Sequence, residues 1–458
     1  MIARSVRSSK TFTLIVVCIA VFSDVFTYGV IVPVLPFALT ERLGVSDEDV
    51  QKWNSILLGV LGVAIVVGSI GFGYLSDRIR TRRLPFTFGL ASLASATIVF
   101  ALCRTLWLLV VARFLQGLAT AVVVTVGYAL IFDKIGSDQL GQAMGWTSLS
   151  LSAGWFIGPV VGGIIYKHAG YLAVFVPPLA LVGIEIMLRL LIVEDERTTK
   201  ITEQNSSGVG VFQGDTEATP LIGHDVTIGS KHRSVFITLL SSKRFVVGMF
   251  AFGVFNGLMV AFDGILPVFL KDAYGFNSQQ VSLTFLAMTM PMLLSPIFGA
   301  ASDRLNSTKW PATAGFALCV PGLLLLRLTG DSASREFALL IVLLVELGVA
   351  FAVGLPPLAA EVMHVVEDME RMDPGVFDPH GACSQAYGLT NAGFGVGCVL
   401  GPVGAGFIRV YWGWKVAVTA MAVVSGVTAV IVLFVTGGPL GIKTRGVLER
   451  EVHSGTEA

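Results

Sequence analysis

About twelve stretches of this chain are apolar over the length needed to cross a lipid bilayer, and nothing else constrains its fold as strongly. Crossing the hydrocarbon core as a helix takes roughly 20 mostly apolar residues. In lipid an unpaired backbone amide finds no water, so the chain must cross as closed helix. The runs lie at 12–37, 54–76, 84–103, 107–131, 142–166 and 172–193, and again at 244–270, 280–302, 310–328, 336–360, 384–409 and 413–436. Only 14% of residues are charged, against about 25% in a soluble domain. The first run is too long for a signal-peptide core and is expected to stay in the protein.

Between the two sets of six lies 194–243, which is polar, contains Asn205-Ser206-Ser207-Gly208, and reads as a flexible cytosolic linker. The expected organisation is a six-helix bundle over 1–193, the linker 194–243, a second bundle over 244–436 and a tail over 437–458. Basic residues crowd alternate loops: Arg78, Arg80, Arg82 and Arg83 after span two, Arg304 and Lys309 after span eight, Lys443 and Arg445 after span twelve. That asymmetry places both termini and the linker in the cytosol. The segment 361–378 is acidic and reads as a cytosolic loop, and acidic residues weigh little in orientation. Thirty-one Lys and Arg balance 31 Asp and Glu, which argues against a nucleic-acid partner. Five scattered cysteines without a CxxC indicate neither a disulfide framework nor a metal site, and no cofactor is expected.

The two sets of six repeat each other. Gly73-Tyr74-Leu75-Ser76-Asp77-Arg78 closes span two, and Gly299-Ala300-Ala301-Ser302-Asp303-Arg304 closes span eight. Gly154-x-x-x-Gly158-Pro159 lies in span five, and Gly397-x-x-x-Gly401-Pro402 lies in span eleven. Two matches at corresponding places imply parallel repeats, an arrangement that flanks a midplane site in transporters.

Gly73-x-x-x-Asp77-Arg78-x-x-x-Arg82-Arg83 resembles the loop signature of the major facilitator superfamily, with Arg80 where that family usually has glycine. Arg113-x-x-Gln116-Gly117 is similar to the signature of proton-coupled members, and Gly154-x-x-x-Gly158-Pro159-x-x-Gly162-Gly163 to that of antiporters. Asp24, Gly29, Pro33 and Pro36 in span one resemble drug:proton antiporters, especially the vesicular amine branch. Gln385-Ala386-Tyr387-Gly388-Leu389-Thr390-Asn391 resembles span eleven of that branch and of fungal relatives, with Asn391 where vesicular amine carriers have an acid. The resemblance covers the whole chain. It implies an all-α membrane protein with two six-helix bundles related by pseudo-two-fold symmetry, a monomer, and export of small organic molecules in exchange for protons. Uptake by symport and a non-transporting sensor on the same scaffold stay open; an enzyme is not expected, because no intramembrane His cluster, Ser-His pairing or phosphate-binding loop is present. The plasma membrane is the expected residence. A vacuolar or vesicular membrane is the alternative, because 217–222 resembles an acidic dileucine sorting signal.

Candidate site residues follow from the cost of charge in lipid. An acid at the centre of a span costs ~2.5–3.5 kcal/mol on insertion scales unless it faces a cavity or partner. Asp24 is therefore a candidate proton carrier or substrate counter-ion, or else a structural hydrogen-bonded acid at a helix break. Arg113 cannot carry a proton, yet it can bias a neighbouring carboxylate or form a fixed salt bridge. Glu346 in span ten reads as deep enough to titrate. Asp263, four residues before Pro267, reads as close to the surface. Glu185 and Arg189 are spaced as an intrahelical pair. Tyr28, Gln116, Ser152, Trp155 and Asn391 are candidate cavity residues, with core packing as the other reading. Gly73, Asp77, Arg78, Arg82 and Arg83 are candidate gating residues at the loop. Gly154, Gly158, Pro159, Gly162 and Gly163 are the same in span five, where small residues let helices approach closely.

Asn205 and Asn306 head glycosylation acceptor triplets in loops expected to be cytosolic. Both should be unmodified, so endoglycosidase treatment of the protein from a eukaryotic host should leave its gel mobility unchanged.

Overall fold

The computed structural model describes residues 10–78, 83–135, 140–191, 235–304, 307–330, 334–372, 376–377 and 383–436. Helices occupy almost all of them: α1 Lys10–Ile31, α2 Leu35–Glu41, α3 Asp47–Arg78, α4 Arg83–Leu102, α5 Leu106–Ile135, α6 Leu140–Ala173 and α7 Val176–Leu191. After 234 come α8 Val235–Ser241, α9 Lys243–Tyr274, α10 Ser278–Thr289, α11 Ser295–Arg304, α12 Lys309–Leu325, α13 Ser334–Met372 and α14 Cys383–Val435. A 3₁₀ turn, Pro291–Leu294, joins α10 to α11 into one crossing.

Among the described residues ten helices are long and apolar enough to cross a membrane. Two further crossings come from α7, which is apolar but has 16 residues, and from the second leg of α14. With 53 residues α14 would be about 80 Å long if straight, far beyond a core of about 30 Å. Gly413 breaks it at φ 81, and Gly170 bends the end of α6 at φ 79. Both need the left-handed backbone that glycine adopts freely. Gly170 and Gly413 stand at the same interval as Gly154 and Gly397, so the repeat seen in sequence extends to the bends.

Several boundaries differ from the sequence reading. Pro33 and Pro36 split expected span one, with α1 ending at Ile31 and α2 taking Pro36 in its first turn. Span two starts at Asp47: its acidic first turn is exposed, and the polar Gln51, Asn54 and Ser55 that follow are buried against other helices instead of ending in solvent. The acidic segment after 360, expected as loop, continues α13 to Met372. Arg244 explains this continuation: its Nε reaches Glu361 at 2.6 Å and its Nη1 reaches Asp368 at 2.8 Å, while Val362, Val365 and Val366 are buried. Of the expected linker, 235–241 is helical. Residues 194–234, the tail 437–458, the sorting-like 217–222, Asn205, Asn306, Arg80 and Arg82 lie outside the described residues.

Backbone-to-backbone contact holds the helix pairs. A Cβ at Gly162 would stand 2.1 Å from the Val30 carbonyl oxygen, and one at Gly158 would stand 2.9 Å from that of Phe26. Real Cβ atoms do not approach so closely, so α6 can lie this near α1 at these two positions only because they are glycine. The copy repeats it: Gly397 and Gly401 of α14 would meet the carbonyl oxygens of Gly253 and Gly257 in α9 at 2.0 and 2.1 Å.

Helices before 192 meet those after 234 at two matched crossings. Gly163 of α6 packs on Ser278 and Ser282 of α10, and Gly406 of α14 packs on Gln51 and Ser55 of α3. Only the second has ion pairs around it among the described residues. Lys271 binds Asp47 at 2.8 Å and Thr40 at 3.2 Å; Arg409 binds Asp272 at 2.7 Å and donates to Gln51. These lie on the face that carries the 42–46 connection, which is the face expected to be extracytosolic.

Gly162→Ala should lower the thermal stability of the purified protein, because overpacking of a tight contact costs ~1–3 kcal/mol. Gly404→Ala, at a helical position with nothing within 4 Å of the added carbon, should leave it unchanged or slightly raised. Equal unfolding midpoints for the two variants would contradict the packing account.

Candidate functional site

The helix α1 carries the first buried acid. Asp24 is 3% exposed, and Thr120 of α5 donates to its Oδ1 at 3.0 Å. Next to it, Ser23 donates to Glu185 of α7 at 2.5 Å. The glutamate expected to pair with Arg189 thus reaches α1; the Arg189 side chain is outside the described set. Two hydroxyls therefore tie three helices together around the middle of α1. Each donates to a carboxylate oxygen.

One turn before Thr120, Gln116 takes the guanidinium. Arg113 has no exposed surface, and its Nη1 donates to Gln116 Oε1 at 2.8 Å. Its Nε and Nη2, and the Nε2 of Gln116, have no hydrogen-bond partner. The Phe100 ring lies 5.1 Å from the guanidinium carbon and the Tyr28 ring 5.6 Å, within cation–π range. No described carboxylate comes within ion-pair distance of Arg113.

Tyr28 leads from this cation to the other half of the protein. Its hydroxyl donates to Asp263 Oδ2 of α9 at 2.9 Å, and its ring meets Trp155 of α6 edge-on at 5.1 Å. Asp263 is 3% exposed, which corrects the reading that put it near the surface. Pro267 does not end α9; the helix runs on to Tyr274, so Asp263 sits well inside. Close by, Asn54 and Gln51 of α3 donate to the Gly264 carbonyl at 2.7 and 3.1 Å. Asn54 was read from sequence as the start of a span, and Gln51 was not singled out. The available signal was three polar residues, Gln51, Asn54 and Ser55, on one helical face beside an apolar run.

Asp24, Tyr28, Arg113, Gln116 and Trp155 thus come together, joined by Asp263. Ser152 is buried one turn before Trp155. Asn391 lies elsewhere along the interface, where it donates to Ser69 of α3 at 2.7 Å near the edge-on pair Tyr128 and Tyr387. Glu346 does not join the cluster: it is half-buried between α13 and α12, where Gly322 makes room for its carboxylate. Gly73 faces Gly388 of α14, and Asp77, Arg78 and Arg83 stand at helix ends with side chains outside the described set. Among the described residues no three His, Cys, Asp or Glu side chains are grouped to hold a metal.

A buried cluster of two acids, one guanidinium and several hydroxyls thus lies where the two halves of the chain meet. Residues 17–372 match the Major Facilitator Superfamily. An uncharacterized MFS-type transporter of Schizosaccharomyces pombe, C18.02, is 33% identical over 405 residues, covering 88% of this chain and 90% of that one. The class B tetracycline resistance protein of Escherichia coli is 26% identical over 63% of this chain and 64% of its own. The crystal structure of the human organic anion transporter MFSD10 shares the fold at a TM-score of 0.63 and 17% identity, over 92% of this chain and 99% of that one. An integral multi-pass helical protein with this repeat, this fold and these relatives belongs to the major facilitator superfamily of transporters.

Proposed function

We propose that this chain exports small organic molecules in exchange for protons, with both termini in the cytosol and the plasma membrane as its site. The observation that carries the reading is the pair of buried carboxylates, Asp24 and Asp263, on the first spanning helix of each half. A carboxylate at that depth is costly when ionised and unpaired, so it is held either by a proton or by a partner. Each has one hydroxyl donor: Thr120 within the first half, Tyr28 across the interface. When the halves part, Tyr28 leaves Asp263 and water reaches the carboxylate, which then exchanges its proton with the side that has opened. When they close again, the Tyr28 bond re-forms and the carboxylate is shut off from water. Arg113 stays charged throughout, so the cluster is net negative with both acids ionised and neutral once one of them takes a proton. Glu346 has no part in this scheme. The relative named as a tetracycline resistance protein supports export as the direction.

In proteoliposomes loaded with a pH dye, adding substrates from a panel of organic cations, acids and neutral toxins should drive proton flux in the antiport sense. Asp24→Asn should reduce that flux to the leak rate. Flux in the symport sense, or flux unchanged by the substitution, would refute the scheme. Tyr28→Phe removes a hydrogen bond to a charged group, worth ~1.5–3 kcal/mol, and should shift the closed-to-open ratio by roughly tenfold or more. The shift should appear as faster maleimide labelling of Leu58→Cys, an otherwise buried interface position, in a chain whose five cysteines are serine.

A further inference from the structure

Asp24 and Asp263 each accept from one hydroxyl. Beside them three enclosed donors lie together without a hydrogen-bond partner, Arg113 Nε, Arg113 Nη2 and Gln116 Nε2, on two side chains of which at most 1% is exposed. Buried polar groups in folded proteins almost always find partners, so a set of orphaned donors in one place is a vacancy for an acceptor. A guanidinium presents its N–H groups in a planar fork that matches paired or planar oxygens. The walls around it are flat rings: Phe100 and Tyr28 against the guanidinium, and Trp155 edge-on to Tyr28.

We propose that Arg113 and Gln116 form the acceptor-binding subsite for the transported molecule, and that this molecule is a planar aromatic compound carrying carbonyl, carboxylate or phenolate oxygen rather than an organic cation. The inference rests on the cluster being the transport site, and it names the substrate class of that site. Tyr28 covers the subsite on the side of the second half, since its ring contacts Arg113 while its hydroxyl is held by Asp263. Release of that hydrogen bond frees the ring to move, so the same step that parts the halves opens the donors to a ligand. At Arg113 and Gln116 themselves an ammonium group brings only donors, and it meets a guanidinium that no described carboxylate neutralises at ion-pair distance.

The experiment compares four probes with the same ring system on the purified full-length protein: 2-naphthoate, 2-naphthamide, 2-ethylnaphthalene and 2-naphthylmethylammonium. The readout is the concentration of each that gives half of its maximal rise in thermal unfolding midpoint. The acid and the amide should act at concentrations roughly tenfold or more below the hydrocarbon and the ammonium compound, the difference expected for filling donors on a charged group. Arg113→Gln should abolish the preference for the acid, and Gln116→Leu should weaken both oxygen-bearing probes. The ranking on the unsubstituted protein stands even if a variant fails to fold. Equal action of all four, strongest action by the ammonium compound, or no shift with any of them would overturn the inference. So would an acid preference that persists in Arg113→Gln. The assay moves no proton across a membrane, so it can fail while exchange stands, and exchange can fail while the ranking holds.

Discussion

Helices that touch through their backbones set the terms for everything else in this protein. The Val30 carbonyl lies where a Cβ of residue 162 would be, and the Gly253 and Gly257 carbonyls stand likewise against α14. Hydrophobic burial gives little drive to helix association inside lipid, so close van der Waals contact along such stripes carries much of it. The same contact brings Tyr28 of α1 against Trp155 of α6, and it lays α9 beside α14. Were the stripes wider by one methyl, the hydroxyl-to-carboxylate distances of the cluster would lengthen with them.

The fold was largely written in hydropathy and in the repeat. Twelve apolar runs gave twelve crossings, and the paired glycine motifs marked where the two halves correspond. Boundaries were less legible where polar residues are buried by partners distant in sequence. Gln51 and Asn54 look like a solvated helix start until Gly264 is placed opposite them. Arg244 likewise turns an acidic stretch into helix by pairing with Glu361 and Asp368. Within the site, Asp24, Arg113 and Gln116 could be picked out because each is polar in an otherwise apolar run and two lie on one helical face. Asp263 was misplaced because Pro267 suggested a helix end, whereas a spanning helix tolerates an interior proline when neighbours support the backbone. Glu346 shows the opposite error: depth in a span does not say which side of the helix faces the interface.

A guanidinium without a carboxylate in contact is an expensive thing to keep in a dry interior, on the order of several kcal/mol. Arg113 offsets part of that through Gln116 and the faces of two rings. The remainder makes the cluster poised rather than settled. An arrangement in which the acids are each held by a single hydroxyl and the cation by a single amide has low barriers to exchanging partners. A buried salt bridge across the same interface would instead cost the desolvation of both partners and tie the two halves together more tightly.

The two crossings that join the halves are geometrically alike and chemically unlike. Each seats a glycine on two polar residues one helical turn apart, Gly163 on Ser278 and Ser282, Gly406 on Gln51 and Ser55. Among the described residues ion pairs surround only the second, where Lys271 and Arg409 reach across. A joint with one neutral side and one charged side is not held evenly along its length. Salt screens the pairs of Asp47 and Asp272 on the side of α3 and α14, and it leaves the glycine-on-serine contact of α6 and α10 as it was.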